Sequence, residues 1–245
     1  MNFTDKAIVI SARKYSESSG IVSLLTQSHG LCKGLVRNIT SKKQRGIYQM
    51  GNFLEATWKG RLSEHLGNFN AEIVASNAAY FLSDSKKLTA LTAASALIDK
   101  TLSEREMADD IFQNMFTLIE SLKYKDHWHI DYINLELLLL SHLGFRLQLD
   151  KCAATDSIND LFYISPKSGK AVSRASGYPY KDKLFTIPDL FIGKVLDDNE
   201  SDILNSLNIC AYFLEKYIFT PHNIKLPESR LRLNNLFSSE TIYHC

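Results

Sequence analysis

Short runs of alternating hydrophobic and polar residues fill the first third of the chain. β-Branched and aromatic residues dominate these runs, and clusters of serine, glycine and lysine separate them, which is typical of strands joined by turns. The runs cover residues 5–11, 21–26, 31–40, 49–59 and 61–74. Five strands in so short a segment leave no room for a crossover helix and favour a small antiparallel barrel. The OB-fold is the common five-stranded form, and an SH3-like barrel is the alternative.

Glycines and cations add detail to this prediction. His29-Gly30 and Lys59-Gly60 lie where a tight hairpin turn needs a glycine with positive φ. In the third run alternate residues face opposite sides of the strand, so Lys33 and Arg37 fall on the same side. A loop crowded with cations follows at residues 41–46. Cations are therefore built into a sheet, which indicates an anionic partner.

From residue 75 onward the hydrophobic positions recur at helical spacing. A breaker at residues 83–85 divides the first helical stretch. Ser103 and Glu106 form a capping-box pattern that predicts the start of the next helix. The pattern then predicts a buried central helix ending at Gly144, a β-hairpin, and a long last helix that stops before Pro221. These elements cover residues 130–143, 158–175 and 202–219.

At 245 residues the chain is longer than one typical domain. We predict an α+β protein in which residues 1–75 form a five-stranded OB-fold barrel that binds nucleic acid. Residues 76–245 are predicted to form a mostly α-helical domain, with the small β-hairpin inserted near residues 158–175.

Charge is distributed unevenly, although the whole chain carries only +1. Residues 1–75 contain ten cations and five acids, and the rest of the chain contains 18 cations and 22 acids. This asymmetry indicates that the N-terminal domain faces a polyanion. A solvated lysine-rich surface explains the charge alone equally well.

Aromatic residues are interleaved with these cations. Single-stranded nucleic acid binds such a mixture, because cations replace the counterions along the phosphates and aromatic faces stack on bases. The predicted DNA contacts are Arg13, Lys14, Lys33, Arg37, Lys42, Lys43 and Arg45, with Lys59 and Arg61 as weaker candidates. The interleaved aromatics are Tyr15, Tyr48, Phe53, Trp58 and Phe69. We expect most of them to be barrel core, with at most two exposed.

The sequence does not indicate an enzyme or a metalloprotein. His127 and Asp131 could share a helix face, but capping explains acids and histidines at a helix start, and no second cluster stands nearby. P-loop, nucleophile and zinc-protease motifs are absent. The four cysteines lack the spacing of a disulfide framework or a zinc site, and no signal peptide or membrane-spanning run occurs. We therefore expect a cytosolic protein.

Two distant segments carry a specific set of motifs. The first contains AIVISARKYSESSGIVSLLT at residues 7–26, then HG at 29–30, KG at 33–34 and SKK at 41–43. The second contains LGF at 143–145, LDKCA at 149–153 and DLFYISPKSGKAVS at 160–173. In order and spacing, these motifs resemble the bacterial recombination mediators of the RecO family over most of the chain.

The resemblance implies an N-terminal OB-fold, a helical C-terminal domain and no covalent catalysis. It implies a role in RecF-pathway DNA repair after DNA damage: binding of single- and double-stranded DNA, annealing of complementary strands, and loading of RecA onto single strands coated by single-stranded-DNA-binding protein. The implied protein partners are RecR and the acidic C-terminal tail of single-stranded-DNA-binding protein. The implied location is the bacterial cytoplasm, on the nucleoid when DNA is bound.

Many members of this family carry a four-cysteine zinc site that begins at the position of Cys152. This chain keeps Cys152 but has no further cysteine before Cys210. We therefore predict no zinc and no other cofactor, and we expect packing to hold the hairpin.

Two other functions are compatible with the residues. One is an adaptor whose helical domain docks repair proteins while the barrel binds no DNA. Neutralising Lys42, Lys43 and Arg45 would leave every activity of such an adaptor intact. The other is a metal-dependent nuclease that uses residues 126–131, and chelators would stop it.

Overall fold

A computed structural model describes residues 2–61, 66–81, 83–194 and 199–238. The strands are β1 Asn2–Lys14, β2 Gly20–Thr26, β3 Gly30–Val36, β4 Phe53–Lys59, β5 Gly67–Ala75, β6 Leu161–Ile164, β7 Ala171–Ser173 and β8 Phe185–Thr186. The helices are α1 Lys42–Ile47, α2 Ser85–Thr101, α3 Asp109–Tyr124, α4 Trp128–His142, α5 Arg174–Gly177, α6 Glu200–Leu214 and α7 Glu228–Ser238. None of the helices in the described ranges combines the length and apolar character that crossing a bilayer requires.

Strands β1 to β5 close into a barrel in the order β1-β2-β3-β5-β4. Neighbouring strands are antiparallel except β3 and β5, which are parallel. Strand β1 pairs with both β2 and β4, and an irregularity between Val9 and Ser11 lets this long strand bend around the barrel. The predicted OB-fold barrel and the α+β class are confirmed.

Trp58 fills the barrel near the end of β4 and is fully buried. It pairs across the sheet with Phe3 on one side and Phe69 on the other. Its ring is stacked with that of Phe3 at a centroid distance of 5.7 Å, and the Arg105 guanidinium lies 4.1 Å from the ring centroid. The Trp58 Nε1–H donates a hydrogen bond to the Lys33 carbonyl at 3.3 Å. Trp58 therefore contacts three strands and a segment beyond the barrel.

Two glycines make room for this indole. A Cβ atom at Gly60 or at Gly67 would lie well inside van der Waals contact with the Trp58 ring. Gly60 does not have the positive φ that the sequence predicted, so this prediction is wrong. Gly60 is required because a side chain there would overlap the Trp58 ring. Gly30 does have the predicted positive φ, at 64°.

The segment at residues 103–106 does not cap a helix, so the predicted capping box is wrong. Arg105 adopts a positive φ of 65° and donates its backbone N–H to the Leu31 carbonyl at 2.8 Å. Glu104 forms an isolated parallel bridge with Leu31. Pairing with β3 satisfies these backbone groups, and helix α3 begins later, after Ala108, without a side-chain cap.

The chain divides into two compact units. One comprises Met1–Asp131 and Pro227–Arg230, and the other comprises Tyr132–Leu226 and Leu231–Cys245. The first unit contains more than the barrel because α2 and α3 pack on β1 and β2. The predicted domain boundary between residues 75 and 76 marks the place where strands give way to helices along the sequence. It is not the boundary between the two compact units.

The second unit contains the predicted hairpin, formed by β6 and β7, and β8 adds a third strand that the sequence did not indicate. The predicted central helix is α4, followed by Gly144 with φ 88°. The predicted last helix corresponds to α6, which continues as a π turn over Glu215–Phe219. Helix α7 follows and was not predicted.

Hydrogen bonds to the Cys152 sulfur tie the hairpin to the preceding loop, in addition to packing. The sulfur accepts the backbone N–H groups of Ala154 at 3.4 Å and Ser173 at 3.3 Å, and it lies 3.5 Å from the Ser173 hydroxyl. Burial raises the pKa of the thiol, but hydrogen bonds from Thr155, Ser173 and Ala154 outweigh it and lower the pKa to about 6.

Replacing Gly67 by alanine should destabilise the barrel, because the added methyl group meets the buried Trp58 ring. We expect a loss of about 1–3 kcal/mol in the free energy of unfolding, measured by urea denaturation. Gly46→Ala is the matched control, since a Cβ there meets nothing within 4 Å and the residue lies in helix α1. It should be neutral or stabilising by up to about 1 kcal/mol. Equal effects of the two variants would contradict the role given to Trp58.

Cys152 should make stability depend on pH. Its pKa in the folded protein lies below the ordinary value of 9.0, so its stabilisation is full above pH 9 and is lost as the pH falls through about 6. The stability difference between wild type and Cys152→Ser should therefore grow from pH 6 to pH 9 in denaturation midpoints. Cys32→Ser is the control, because burial raises the pKa of the Cys32 thiol, so folding does not stabilise its thiolate. If the stability difference between wild type and Cys152→Ser does not change with pH, Cys152 is not a thiolate in the folded protein.

Candidate nucleic-acid interface

Helix α1 presents the densest group of predicted contacts. The residues that we predicted as a loop form a helix, and the Ser41 hydroxyl accepts the Gln44 N–H at 3.3 Å at its start. Lys42, Lys43 and Arg45 lie in this helix and are all exposed. Within the described ranges, none of the three forms an ion pair.

Two buried residues and one amide hold α1 on the barrel. Ile47 and Tyr48 at its end are in the barrel core, where burial raises the pKa of Tyr48 to about 12. The buried Asn52 amide donates to the Gly46 and Ile47 carbonyls at 2.9 and 3.1 Å, so these helix-end groups are satisfied. The Asn52 side-chain oxygen accepts the Asn77 N–H at 2.8 Å. The cations of α1 therefore stand on a fixed base.

The β1–β2 loop lies beside the segment that leads into α1. Ile39 donates its backbone N–H to the Ser18 carbonyl at 2.8 Å, which joins the two segments. Lys14 ends β1 and Tyr15 begins this loop, and both are exposed. The loop closes on itself through the Tyr15 N–H and the Ser19 carbonyl at 2.9 Å. The structure thus brings Lys14 and Tyr15 to the same end of the barrel as α1.

A groove of about 330 Å³ lies between β3, β5 and α1. Amide and guanidinium groups dominate its polar lining, and Phe69 is at its base. The polar residues are Arg37, Asn38, Gln44, Asn68 and Asn70. Such groups donate to phosphate oxygens and to base edges. The four amides were not predicted, although the alternation of exposed Asn68 and Asn70 with buried neighbours in β5 was a signal for the last two.

Lys59 and Arg61 lie at the end of β4 and beyond it, and both are exposed. Lys59 stands opposite Asn68, which lines the groove. Arg61 lies in the β4–β5 connection. In OB-folds generally, oligonucleotides bind across strands 2 and 3 and the β1–β2 and β4–β5 loops. The predicted cations follow this same surface.

Arg13 and Lys33 differ from the other predicted contacts because each has an acidic partner. Arg13 Nη2 lies 2.7 Å from Asp99 Oδ2, and the Asp99 side chain is only 10% exposed. Its other oxygen is buried without a hydrogen-bond partner, so Arg13 is needed to neutralise it. Lys33 Nζ lies 2.8 Å from Glu104, and both side chains are partly exposed. A pair of this kind contributes about 0.2–1 kcal/mol, so a phosphate can replace Glu104 more easily than Asp99.

Four of the five interleaved aromatics are buried, in agreement with the expectation. Tyr48, Phe53, Trp58 and Phe69 belong to the core. Tyr15 is 68% exposed and is therefore the member of this group that can stack on a base.

A second groove, of about 490 Å³, lies where α3 meets β1, β4 and β5. Phe53, Phe112 and Phe116 make it apolar, and its two charged lining residues, Lys6 and Glu55, cancel. A polyanion gains nothing from this groove, whereas the groove beside α1 is lined by groups that donate to phosphate oxygens.

Residues 126–131 are the candidate metal site of the alternative nuclease function. The described residues hold no group of three or more His, Cys, Asp or Glu side chains placed to bind a metal ion. Asp131 is instead 3.5 Å from Lys125, and the rings of His127 and His129 contact each other edge to face at 5.9 Å.

Comparison with known proteins gives the same result for both halves of the chain. Residues 1–77 match the family model of the recombination protein O N terminal, and residues 82–225 match that of the recombination protein O C terminal. The chain is 38% identical to DNA repair protein RecO of Orientia tsutsugamushi strain Ikeda over 231 residues, covering 94% of this chain and 95% of that protein. It is 36% identical to DNA repair protein RecO of Ehrlichia chaffeensis over 244 residues, covering 96% and 99%. The chain therefore belongs to the RecO family, a family of DNA repair and recombination proteins.

Proposed function

We propose that this protein is a DNA-binding recombination mediator that acts through the basic face of its barrel. The face is defined by Lys14, Arg37, Lys42, Lys43, Arg45, Lys59 and Arg61. The observation that carries the proposal is helix α1, whose three cations are exposed and have no ion pair within the described ranges. Single- and double-stranded DNA both present phosphates to such a face, and Tyr15 adds a stacking surface for single strands.

Annealing of complementary strands is the activity that this chemistry favours. Two single strands repel each other through their phosphates, and a basic face lowers this repulsion by replacing condensed counterions. No covalent bond forms or breaks, so the protein needs no catalytic group and no cofactor.

Membership of the RecO family supports a proposal for the protein partners. We propose that the chain contacts the acidic C-terminal tail of single-stranded-DNA-binding protein and works with RecR to load RecA onto the strands that this protein coats. An acidic tail with a hydrophobic end needs a cation beside an apolar groove. The protein would act in the RecF pathway, in the bacterial cytoplasm and on the nucleoid.

The triple variant Lys42→Glu/Lys43→Glu/Arg45→Glu should lose most annealing activity. Two complementary fluorescent oligonucleotides are mixed with each protein, and the annealing rate and single-strand affinity are measured at low and moderate salt. Loss of three phosphate contacts should make the slope of log affinity against log salt shallower by about 2.

The control Lys100→Glu/Lys194→Glu/Lys225→Glu changes the charge equally at exposed residues outside the basic face. It should retain most of the wild-type rate. If both triple variants anneal like wild type, the barrel is not the DNA site, and an adaptor without DNA binding becomes the better description.

A further inference from the structure

The segment after α5 carries two exposed tyrosines on a short 3-10 turn, Tyr178–Lys183. Tyr178 is 64% exposed and Tyr180 is 63% exposed. None of the residues of this turn is buried, so the two rings, only one residue apart, form an exposed aromatic patch. A patch of this kind is available to a ligand.

The turn is anchored at both ends. Gly177, just before it, is buried, and a Cβ there would lie well inside van der Waals contact with the Tyr163 ring. Just after it, Phe185 pairs with Ile164 in the β6–β8 ladder. The Leu184 N–H also donates to the Lys181 carbonyl at 3.3 Å. The tyrosines are thus presented by a fixed segment.

Residues three apart are eclipsed in a 3-10 helix, so each tyrosine shares a side of the turn with a lysine. Lys181 Nζ lies 5.4 Å from the centroid of the Tyr178 ring. Tyr180 and Lys183 have the same spacing. The acid of the turn, Asp182, falls in the third row, with Pro179. Both lysines are exposed, and neither forms an ion pair within the part of the chain that the structure describes.

We propose that Tyr178, Tyr180, Lys181 and Lys183 form a second contact site for single-stranded nucleic acid. The rings offer faces for unpaired bases, and the ammonium groups lie where the adjoining phosphates would run. A duplex hides its base faces, so the site prefers single strands. The inference rests on the proposed function, because an annealing protein must hold two strands and the basic face of the barrel accounts for one.

Cross-linking to a single-stranded oligonucleotide that contains 5-iodouridine tests the contact directly. Irradiation should attach the base to Tyr178 or Tyr180 in the full-length protein, and the peptide is identified by mass spectrometry. The adduct should persist in Lys42→Glu/Lys43→Glu/Arg45→Glu, because that variant alters only the barrel.

Co-binding of two non-complementary oligonucleotides, one with a donor dye and one with an acceptor, tests the function of the site. Tyr178→Ala/Tyr180→Ala should weaken binding of the second strand about tenfold or more and leave the first within about threefold. Tyr178→Phe/Tyr180→Phe keeps the rings and should behave like wild type. Circular dichroism checks that each variant is folded.

The outcomes separate this site from the barrel site. If Tyr178→Ala/Tyr180→Ala keeps full co-binding, or if no adduct forms on the turn, the inference is wrong, while the barrel proposal stands. If Tyr178→Ala/Tyr180→Ala loses DNA binding and Lys42→Glu/Lys43→Glu/Arg45→Glu does not, the proposed barrel site is wrong and the turn site is supported.

Discussion

The packing of Trp58 is the constraint on which the barrel and its basic face depend. Its indole lies between Phe3 of β1 and Phe69 of β5, is covered by Arg105, and donates to the Lys33 carbonyl of β3. A ring of this size fits only because Gly60 and Gly67 lack side chains. Strands β3 and β5 are thereby held in parallel register, and the groove beside α1 lies between them. The surface that we propose for DNA binding is therefore built from the same contacts that close the barrel.

The cations of the N-terminal region divide into two groups by their surroundings. Arg13 neutralises the mostly buried Asp99, and Arg105 covers Trp58, so both stabilise the fold. The cations of α1 contact no acid within the described ranges and stand on a base fixed by Ile47, Tyr48 and Asn52. Cations of this second kind can bind a phosphate at little cost in free energy, because no ion pair within the protein has to be broken.

Alternating hydrophobic residues were enough to predict the five barrel strands, and helical spacing was enough for α4 and α6. Helix α1 could not be predicted in this way, since a helix of six residues containing Gly46 is marginal by itself and depends on the tertiary anchors. The capping pattern at Ser103 failed for a related reason: pairing of Glu104 and Arg105 with Leu31 outweighed local propensity. In the site, charge marked the lysines and arginines. The amides of Asn38 and Gln44 line the groove only because the fold brings the end of β3 next to α1, which composition does not show.

Hydrogen–deuterium exchange with and without a single-stranded oligonucleotide tests the central claim most directly, because it locates the DNA without mutation. If DNA lies on the basic face, exchange should slow in the β1–β2 loop at residues 15–19 and across residues 37–47, which carry Arg37 and helix α1. Residues 113–117 of α3, beside the apolar groove, should exchange as before. Saturating DNA that protects neither barrel segment, or protects only other regions, would contradict the account.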